Sequence, residues 1–190
     1  MSESLEREVK IRFASAAEAR AAVAGIGAVP LRALRLQDDR LLDTADGRLR
    51  DERCTLRVRQ ERWPEQDHPA GATVTFKGPP RPDVMKVREE IETGVDDGAL
   101  LLQVLERAGF RVWFRYQKHR EEFACDGAVV AIDETPCGVF VEIEGAEGGV
   151  AQVARALGRT PDDYVVDSYR TLYEADCARR GRPVADMVFE

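Results

Sequence analysis

An α+β fold built on a large antiparallel sheet is what this sequence predicts, and three observations predict it. Apolar and polar residues alternate with period two over stretch after stretch, as in "EREVKIRF" (6–13), where Val9, Ile11 and Phe13 stand between Glu6, Glu8, Lys10 and Arg12. Most connections between such stretches are short turns, too short for the crossovers that parallel pairing requires. Helical patterns are few and fall after the first strand, after the fifth and toward the end of the chain.

The elements follow in order. After the strand 6–13, "ASAAEARAAVAGI" (14–26) is alanine-rich, with Ser15 as N-cap and Gly25 near its end, and predicts a first helix. "LRALRLQDDRLLDT" (31–44) is extended and closes at the turn "ADG" (45–47). "CTLRVRQERW" (54–63) alternates cleanly, and "PEQDHPAGA" (64–72) is the hairpin loop leading into "TVTFKG" (73–78). "PPRPD" (79–83) interrupts the chain before the strand "VMKVREEIE" (84–92). "DDGALLLQVLERAGF" (96–110) has an apolar face, a start at Asp96 or Asp97 and a stop at Gly109. "RVWFRYQKHREEFAC" (111–125) is a strand that turns at "DG" into "AVVAIDETP" (128–136), which turns at "CG" into "VFVEIEG" (139–145). "AEGGVAQVARALG" (146–158) and "SYRTLYEADCARRG" (168–181) are the closing helices, the last within a C-terminal helical region at 166–181. Together they make about eight strands in a sheet or barrel.

Bulk composition narrows the function. A chain of 190 residues is one domain, 1–190, able to bury its own core. A net charge of −7 argues against a general nucleic-acid or acidic-membrane binder, so any bound anion needs a local basic site. Cys54, Cys125, Cys137 and Cys177 form no CxxC, and with only His68 and His119 beside them they read as reduced thiols in a small-residue role rather than as zinc ligands. No charged-then-apolar leader precedes the first strand and no apolar run approaches ~20 residues, so a cytoplasmic protein without a membrane span is expected.

The charge pattern on the strands carries the chemistry. Arg57 and Arg59 share one side of their strand opposite Leu56 and Val58, and Lys77 follows Thr75 on the next. Lys86, Arg88, Glu90 and Glu92 lie opposite Met85, Val87 and Ile91. Lys118 and Arg120 share a side, Asp133 lies on "AVVAIDE", and Glu142 and Glu144 oppose Val141 and Ile143. On a solvated face such charges add little, because exposed ion pairs contribute ~0–1 kcal/mol each. If the sheet closes with its apolar side outward against the helices, the charges are enclosed and demand matching ligands. Arg57, Arg59, Lys77, Arg88, Lys118 and Arg120 suit phosphate oxygens. Glu6, Glu8, Glu142 and Glu144 suit a hard divalent cation, Mg²⁺ or Mn²⁺. A polyanion together with a divalent cation describes a di- or triphosphate.

At this point the sequence resembles the CYTH, or triphosphate tunnel metalloenzyme, superfamily. Its first-strand signature ExExK stands as Glu6-Arg7-Glu8-Val9-Lys10, and the resemblance continues in order through "DTADGRL", "LRVR", "TFKG", "REEIE", "KHR", "AIDETPCGVFVEIEG" and "SYRTLY". It implies an α+β fold with an eight-stranded antiparallel closed β-barrel and flanking helices, whose tunnel binds triphosphate with Mg²⁺ or Mn²⁺. It implies metal ligation by Glu6, Glu8, Glu142 and Glu144, and phosphate binding by Lys10, Arg57, Arg59, Lys77, Arg88, Lys118 and Arg120. Lys10, Glu90 and Asp133 are the candidate catalytic residues, Lys10 by positioning water or the accepting phosphate. Members of the family hydrolyse tripolyphosphate, thiamine triphosphate or other triphosphates, and some cyclise ATP. This chain reads "QDDRLLD" where many members carry aromatics, with Leu41 and Leu42 in their place. It lacks the His-Phe pair of the bacterial cyclases upstream of ExExK, and it has Cys54-Thr55 where thiamine-specific relatives place an aromatic. The expected activity is therefore a metal-dependent triphosphatase acting on a small inorganic or nucleoside triphosphate, as monomer or homodimer. A class IV-type adenylyl cyclase and a non-catalytic polyphosphate- or nucleotide-binding module are the alternatives. Trp63 and Trp113 are candidates for base stacking.

Overall fold

The computed structural model describes residues 5–64 and 71–190. Its strands are β1 (Leu5–Phe13), β2 (Val29–Thr44), β3 (Thr55–Arg62), β4 (Gly71–Lys77), β5 (Lys86–Val95), β6 (Phe110–Cys125), β7 (Ala128–Thr135) and β8 (Gly138–Gly145). Its helices are α1 (Ala16–Gly25), α2 (Arg48–Asp51), α3 (Gly98–Arg107), α4 (Glu147–Ala156) and α5 (Tyr169–Arg179), with a 3-10 turn at Pro161–Asp163. The strands close into one barrel in the order β1-β5-β4-β3-β2-β6-β7-β8, and every neighbour is antiparallel.

Closure turns the alternation inside out relative to a common half-buried sheet. Val9, Ile11, Phe13, Val130, Ile132, Val141 and Ile143 point outward and are buried under Ala19 and Val23 of α1 and Val150, Val153 and Ala154 of α4. Each of the Val, Ile and Phe side chains contributes roughly 1.5–3 kcal/mol on burial, so the hydrophobic core lies between barrel and helices. The barrel's inside is left to the charged file. The caps fall as expected: the Ser15 hydroxyl accepts from Glu18 N–H, and Asp97, not Asp96, accepts from Ala99 and Leu100 N–H. At the β6–β7 turn Asp126 and Gly127 both take positive φ, 48° and 74°, the geometry whose twist matches the flanking strands.

Several boundaries differ from the sequence pattern. β2 begins at Val29, before the predicted 31, and its pairing with β6 slips between Arg32 and Arg35, a bulge that turns Arg35 inward. β5 runs over Lys86–Val95 rather than 84–92 because β4 keeps pairing with it as far as Ala72↔Val95. The helix α2 was not predicted; the Asp43 carboxylate organises it by accepting from Leu49 N–H at 2.9 Å, Arg50 N–H at 3.2 Å and Arg50 Nε at 2.9 Å. The hairpin loop expected at 64–72, with His68, lies largely outside the described residues, although Glu61↔Gly71 shows the hairpin itself.

The barrel is splayed at one end, and the segment after α4 laces it. β1 pairs with β5 only over Leu5–Glu8; further along that edge the Lys10 carbonyl accepts from Val165 N–H at 2.7 Å. β7 covers β6 only from His119 onward. The uncovered edge is taken by Met187, which donates to the Arg115 carbonyl at 3.0 Å and accepts from Gln117 N–H at 2.8 Å. Among the described residues no helix is long and apolar enough to cross a membrane.

Candidate active site

The barrel encloses a cavity of about 940 Å³, the size of a small-ligand site. Of the residues the sequence singled out, Glu6, Glu8, Lys10, Arg57, Arg59, Lys77, Arg88, Glu90, Lys118, Arg120, Glu142 and Glu144 all line it. Asp133 does not reach its surface. It is fully buried behind the wall, where it accepts from Lys118 Nζ at 2.8 Å and from Arg120 in a two-pronged pair at 2.6 Å each.

Register explains how distant residues meet. Glu6 stands beside Arg88 and Glu8 beside Lys86 across β1–β5, while Glu8 faces Glu144 and Lys10 faces Glu142 across β1–β8. Lys77 Nζ bridges Glu6 at 2.6 Å and Glu90 at 2.8 Å, and Lys10 Nζ bonds Glu142 at 2.9 Å with Glu8 at 3.9 Å. Lys86 pairs with Glu8, and Arg120 with Glu142, in very close contacts. Arg12, the last charge of the first-strand file, is exposed at the rim, lying over the Phe140 ring and donating to the Cys137 carbonyl.

The electrostatics divide the wall into two regions. Burial alone would raise Asp133, but Arg120 and Lys118 outweigh it and hold the carboxyl low. Burial would likewise lower Lys10, yet Glu142 and Glu8 hold it above the ordinary lysine range, so it stays charged. Lys118 goes the other way: desolvation and the adjacent Arg120 charge push it down to about 8. Around Glu6 and Glu144 the acids crowd. Desolvation and the Glu8 charge raise Glu6 in spite of Lys77. Desolvation with the Glu6 and Glu8 charges pushes Glu144 up to about 7, although water reaches its side chain.

That crowding tests whether a divalent metal fits. Glu6 and Glu144 are hard-oxygen donors short of positive charge, which a divalent cation would supply. Glu8 and Glu142, in spite of their burial, are already held low by Lys86, Lys10, Lys118 and Arg120. Among the described residues no three acids, histidines or cysteines already stand in ligating geometry. Glu6 and Glu8 are instead held by lysines, and Glu142 by Lys10 and Arg120, partners that a bound metal would displace. On the opposite wall one orphaned donor suits an anion. Arg57 Nε is buried without a hydrogen-bond partner among the described residues, 3.5 Å from the Asp39 carboxylate.

Three residues of the site were missed from sequence. Asp39, wholly buried, accepts a two-pronged pair from Arg59 at 2.7 and 3.1 Å and orients both arginines. Arg35, also wholly buried, bonds Glu61 at 2.8 Å and Glu122 at 2.7 Å, so its charge is neutralised within the protein. Tyr169 enters from α5. A fully enclosed guanidinium or carboxylate needs a partner, and only the fold reveals which one.

Comparison with known proteins adds to this picture. A family model described as the CYTH domain matches residues 4–160. A protein of Methanocaldococcus jannaschii, provisionally named as an adenylate cyclase, is 26% identical over 149 residues, covering 73% of this chain and 81% of its own. A Vibrio parahaemolyticus structure, also provisionally named as an adenylate cyclase, superposes with a TM-score of 0.74 at 18% identity, covering 91% of this chain and 99% of that one. A provisionally named adenylyl cyclase from Hippeastrum, whose structure is described with a dominant triphosphatase activity, has a TM-score of 0.63 at 18% identity, covering 94% of this chain and 97% of that one.

Proposed function

The chain belongs to the CYTH domain family, and on that premise we propose that it is a metal-dependent triphosphatase whose preferred substrate is inorganic tripolyphosphate, hydrolysed inside the barrel. The observation that carries the reading is the gathering of six cationic side chains on the cavity wall, with a buried guanidinium donor of Arg57 unpartnered, beside aromatic rings that are already engaged. Arg57, Arg59, Lys77, Arg88, Lys118 and Arg120 line the cavity. At the end where α5 sits, Trp113 has the Arg50 and Arg170 guanidiniums at 4.6 Å from its ring, and Phe114 and Tyr116 stack on each other at 5.9 Å. Charge is offered to phosphates, while the rings that could take a nucleobase hold the protein's own side chains. Trp113 is thus a packing residue in this reading.

Glu6, Glu8, Glu142 and Glu144 are the residues that would hold a magnesium or manganese ion, which supplies Lewis acidity and neutralises charge on the phosphate chain. The chain's own residues do the rest. Arg57, Arg59, Lys77, Lys118 and Arg120 hold the phosphate oxygens and offset the charge that builds up as water adds to the terminal phosphorus and the diphosphate leaves. Lys10, held charged by Glu142 and Glu8, serves as a phosphate ligand rather than as a base. Asp133, behind the wall, keeps Lys118 and Arg120 in place.

A second reading rests on the names of the relatives, which point to cyclisation of ATP. One assay separates the two. With Mg²⁺ or Mn²⁺, purified protein is expected to release phosphate from tripolyphosphate, to act on ATP and thiamine triphosphate at least tenfold more slowly, and to form no cyclic AMP. Cyclic AMP with pyrophosphate would establish the cyclase. Binding without any product would identify a non-catalytic module.

A further inference from the structure

We infer that Tyr169, the first residue of α5, is a positioning residue of the tunnel: its hydroxyl, through Asp133, and its ring together set Lys118 and Lys10 where they receive phosphate. The inference rests on the proposed triphosphate site and extends it to a helix outside the strands. Tyr169 is only 8% exposed. Its hydroxyl donates to Asp133 Oδ2 at 2.5 Å, the same oxygen that accepts from Lys118 at 2.8 Å and Arg120 at 2.6 Å. Its ring centroid lies 4.6 Å from Lys10 Nζ and 4.9 Å from Lys118 Nζ.

Each contact acts on a different freedom. Lys10 and Lys118 sit on flexible four-carbon stems, and as two ammonium groups over one ring they repel each other. The negative face of the ring offsets part of that repulsion at a fixed point, with Glu142 supplying the countercharge. The hydroxyl fixes the rotation of the Asp133 carboxylate, and through it the directions from which Lys118 and Arg120 reach the cavity. The ring is itself held, edge-on to Phe140 at 5.5 Å and beside Tyr116 at 6.2 Å. Its backbone is fixed by Ser168, which caps α5 by accepting from Thr171 N–H. Packing alone would be satisfied by phenylalanine; the hydroxyl aimed at a buried carboxylate would not.

The test is a double-mutant cycle read by titration calorimetry of inorganic tripolyphosphate without metal, on the full chain, beside melting curves. Tyr169→Phe is expected to weaken binding about tenfold, the effect of one lost hydrogen bond to a buried charge. Its melting temperature should stay within about 8 °C of wild type, as for one lost hydrogen bond in a domain of this size. In Tyr169→Phe/Asp133→Asn the loss should not exceed that of Asp133→Asn alone, because the hydroxyl acts through that carboxylate. Should Asp133→Asn fail to fold, Lys118→Met takes its place in the cycle. Wild-type affinity in Tyr169→Phe, additive losses in the cycle, or no tripolyphosphate binding by wild type each overturns the assignment. Binding without hydrolysis by wild type refutes the triphosphatase alone, and the cycle still decides the role of Tyr169.

Discussion

Glu6→Gln is expected to lower metal-dependent hydrolysis of tripolyphosphate by about 10²–10³-fold while leaving the barrel folded. The size follows from losing a share of metal-borne charge stabilisation worth several kcal/mol, at 1.36 kcal/mol per decade of rate. That the fold survives follows from the surroundings of Glu6. Its carboxyl is enclosed with Glu8 and Glu90, and burial plus the Glu8 charge raise it despite Lys77 at 2.6 Å and Arg88 at 3.4 Å. A charge that the folded state disfavours can be removed with little harm: glutamine keeps the shape and leaves Lys77 its bond to Glu90 at 2.8 Å. In metal-free buffer the melting temperature of the variant should equal or exceed that of wild type. Unchanged metal-dependent turnover would refute the ligand role of Glu6.

The second large effect is on stability. Asp39→Ala should destabilise the protein by about 3–5 kcal/mol, because it strips Arg59 and Arg57 of their shared carboxylate inside a closed barrel. At roughly 2–4 °C per kcal/mol, the melting temperature should fall by about 6–20 °C. A substrate anion can stand in for the missing carboxylate. Tripolyphosphate at about 100 times its dissociation constant should return roughly 2.7 kcal/mol to a protein that still binds it. The pH dependence has a definite sign. Burial alone would raise Asp39, but Arg59 and Arg57 hold it below the ordinary carboxylate range. Its contribution is therefore complete above about pH 4, the unfolded value. It is lost as pH falls through the depressed folded value. Wild type should lose stability more steeply than Asp39→Ala below pH 4, and thermal melts across pH 2–7, an interval chosen to bracket that step of about one carboxylate, would measure the difference. Equal slopes would show that Asp39 carries no such linkage.

How far the sequence reveals this molecule can be argued strand by strand. β1, β3, β4 and β8 show their inward charges because the other face is largely apolar, broken only by Arg7 on β1 and by Gln60 and Arg62 at the end of β3, so the period-two signal is clean. The helix starts at Ser15 and Asp97 are local hydrogen-bond chemistry and were legible for the same reason. β2 was not. Asp38 and Asp39 are both buried yet face opposite ways, Asp38 toward Arg115 and Asp39 toward Arg59. A pair of like residues carries no phase, and the bulge before Arg35 and the slip at Leu41/Leu42 shift what phase there is. The pairing of β2 with β6 and of β1 with both β5 and β8 leaves no local trace, and closure came from the family resemblance. Tyr169 escaped notice because it approaches the site from a helix, where strand alternation says nothing.

The pairing of β1 with β8 has a consequence for synthesis on the ribosome. Glu6 and Glu8 are made first, yet their neighbours Glu142 and Glu144 follow only after well over a hundred further residues, and Tyr169 later still. Contacts so distant along the chain form late and slowly. A nascent chain therefore holds half of a charged wall with no matching half. Its early acids and the arginines of β3 remain in water, where exposed charge keeps a partly made sheet soluble. The charged lining is complete only when β8 and α5 emerge and the two ends of the domain meet.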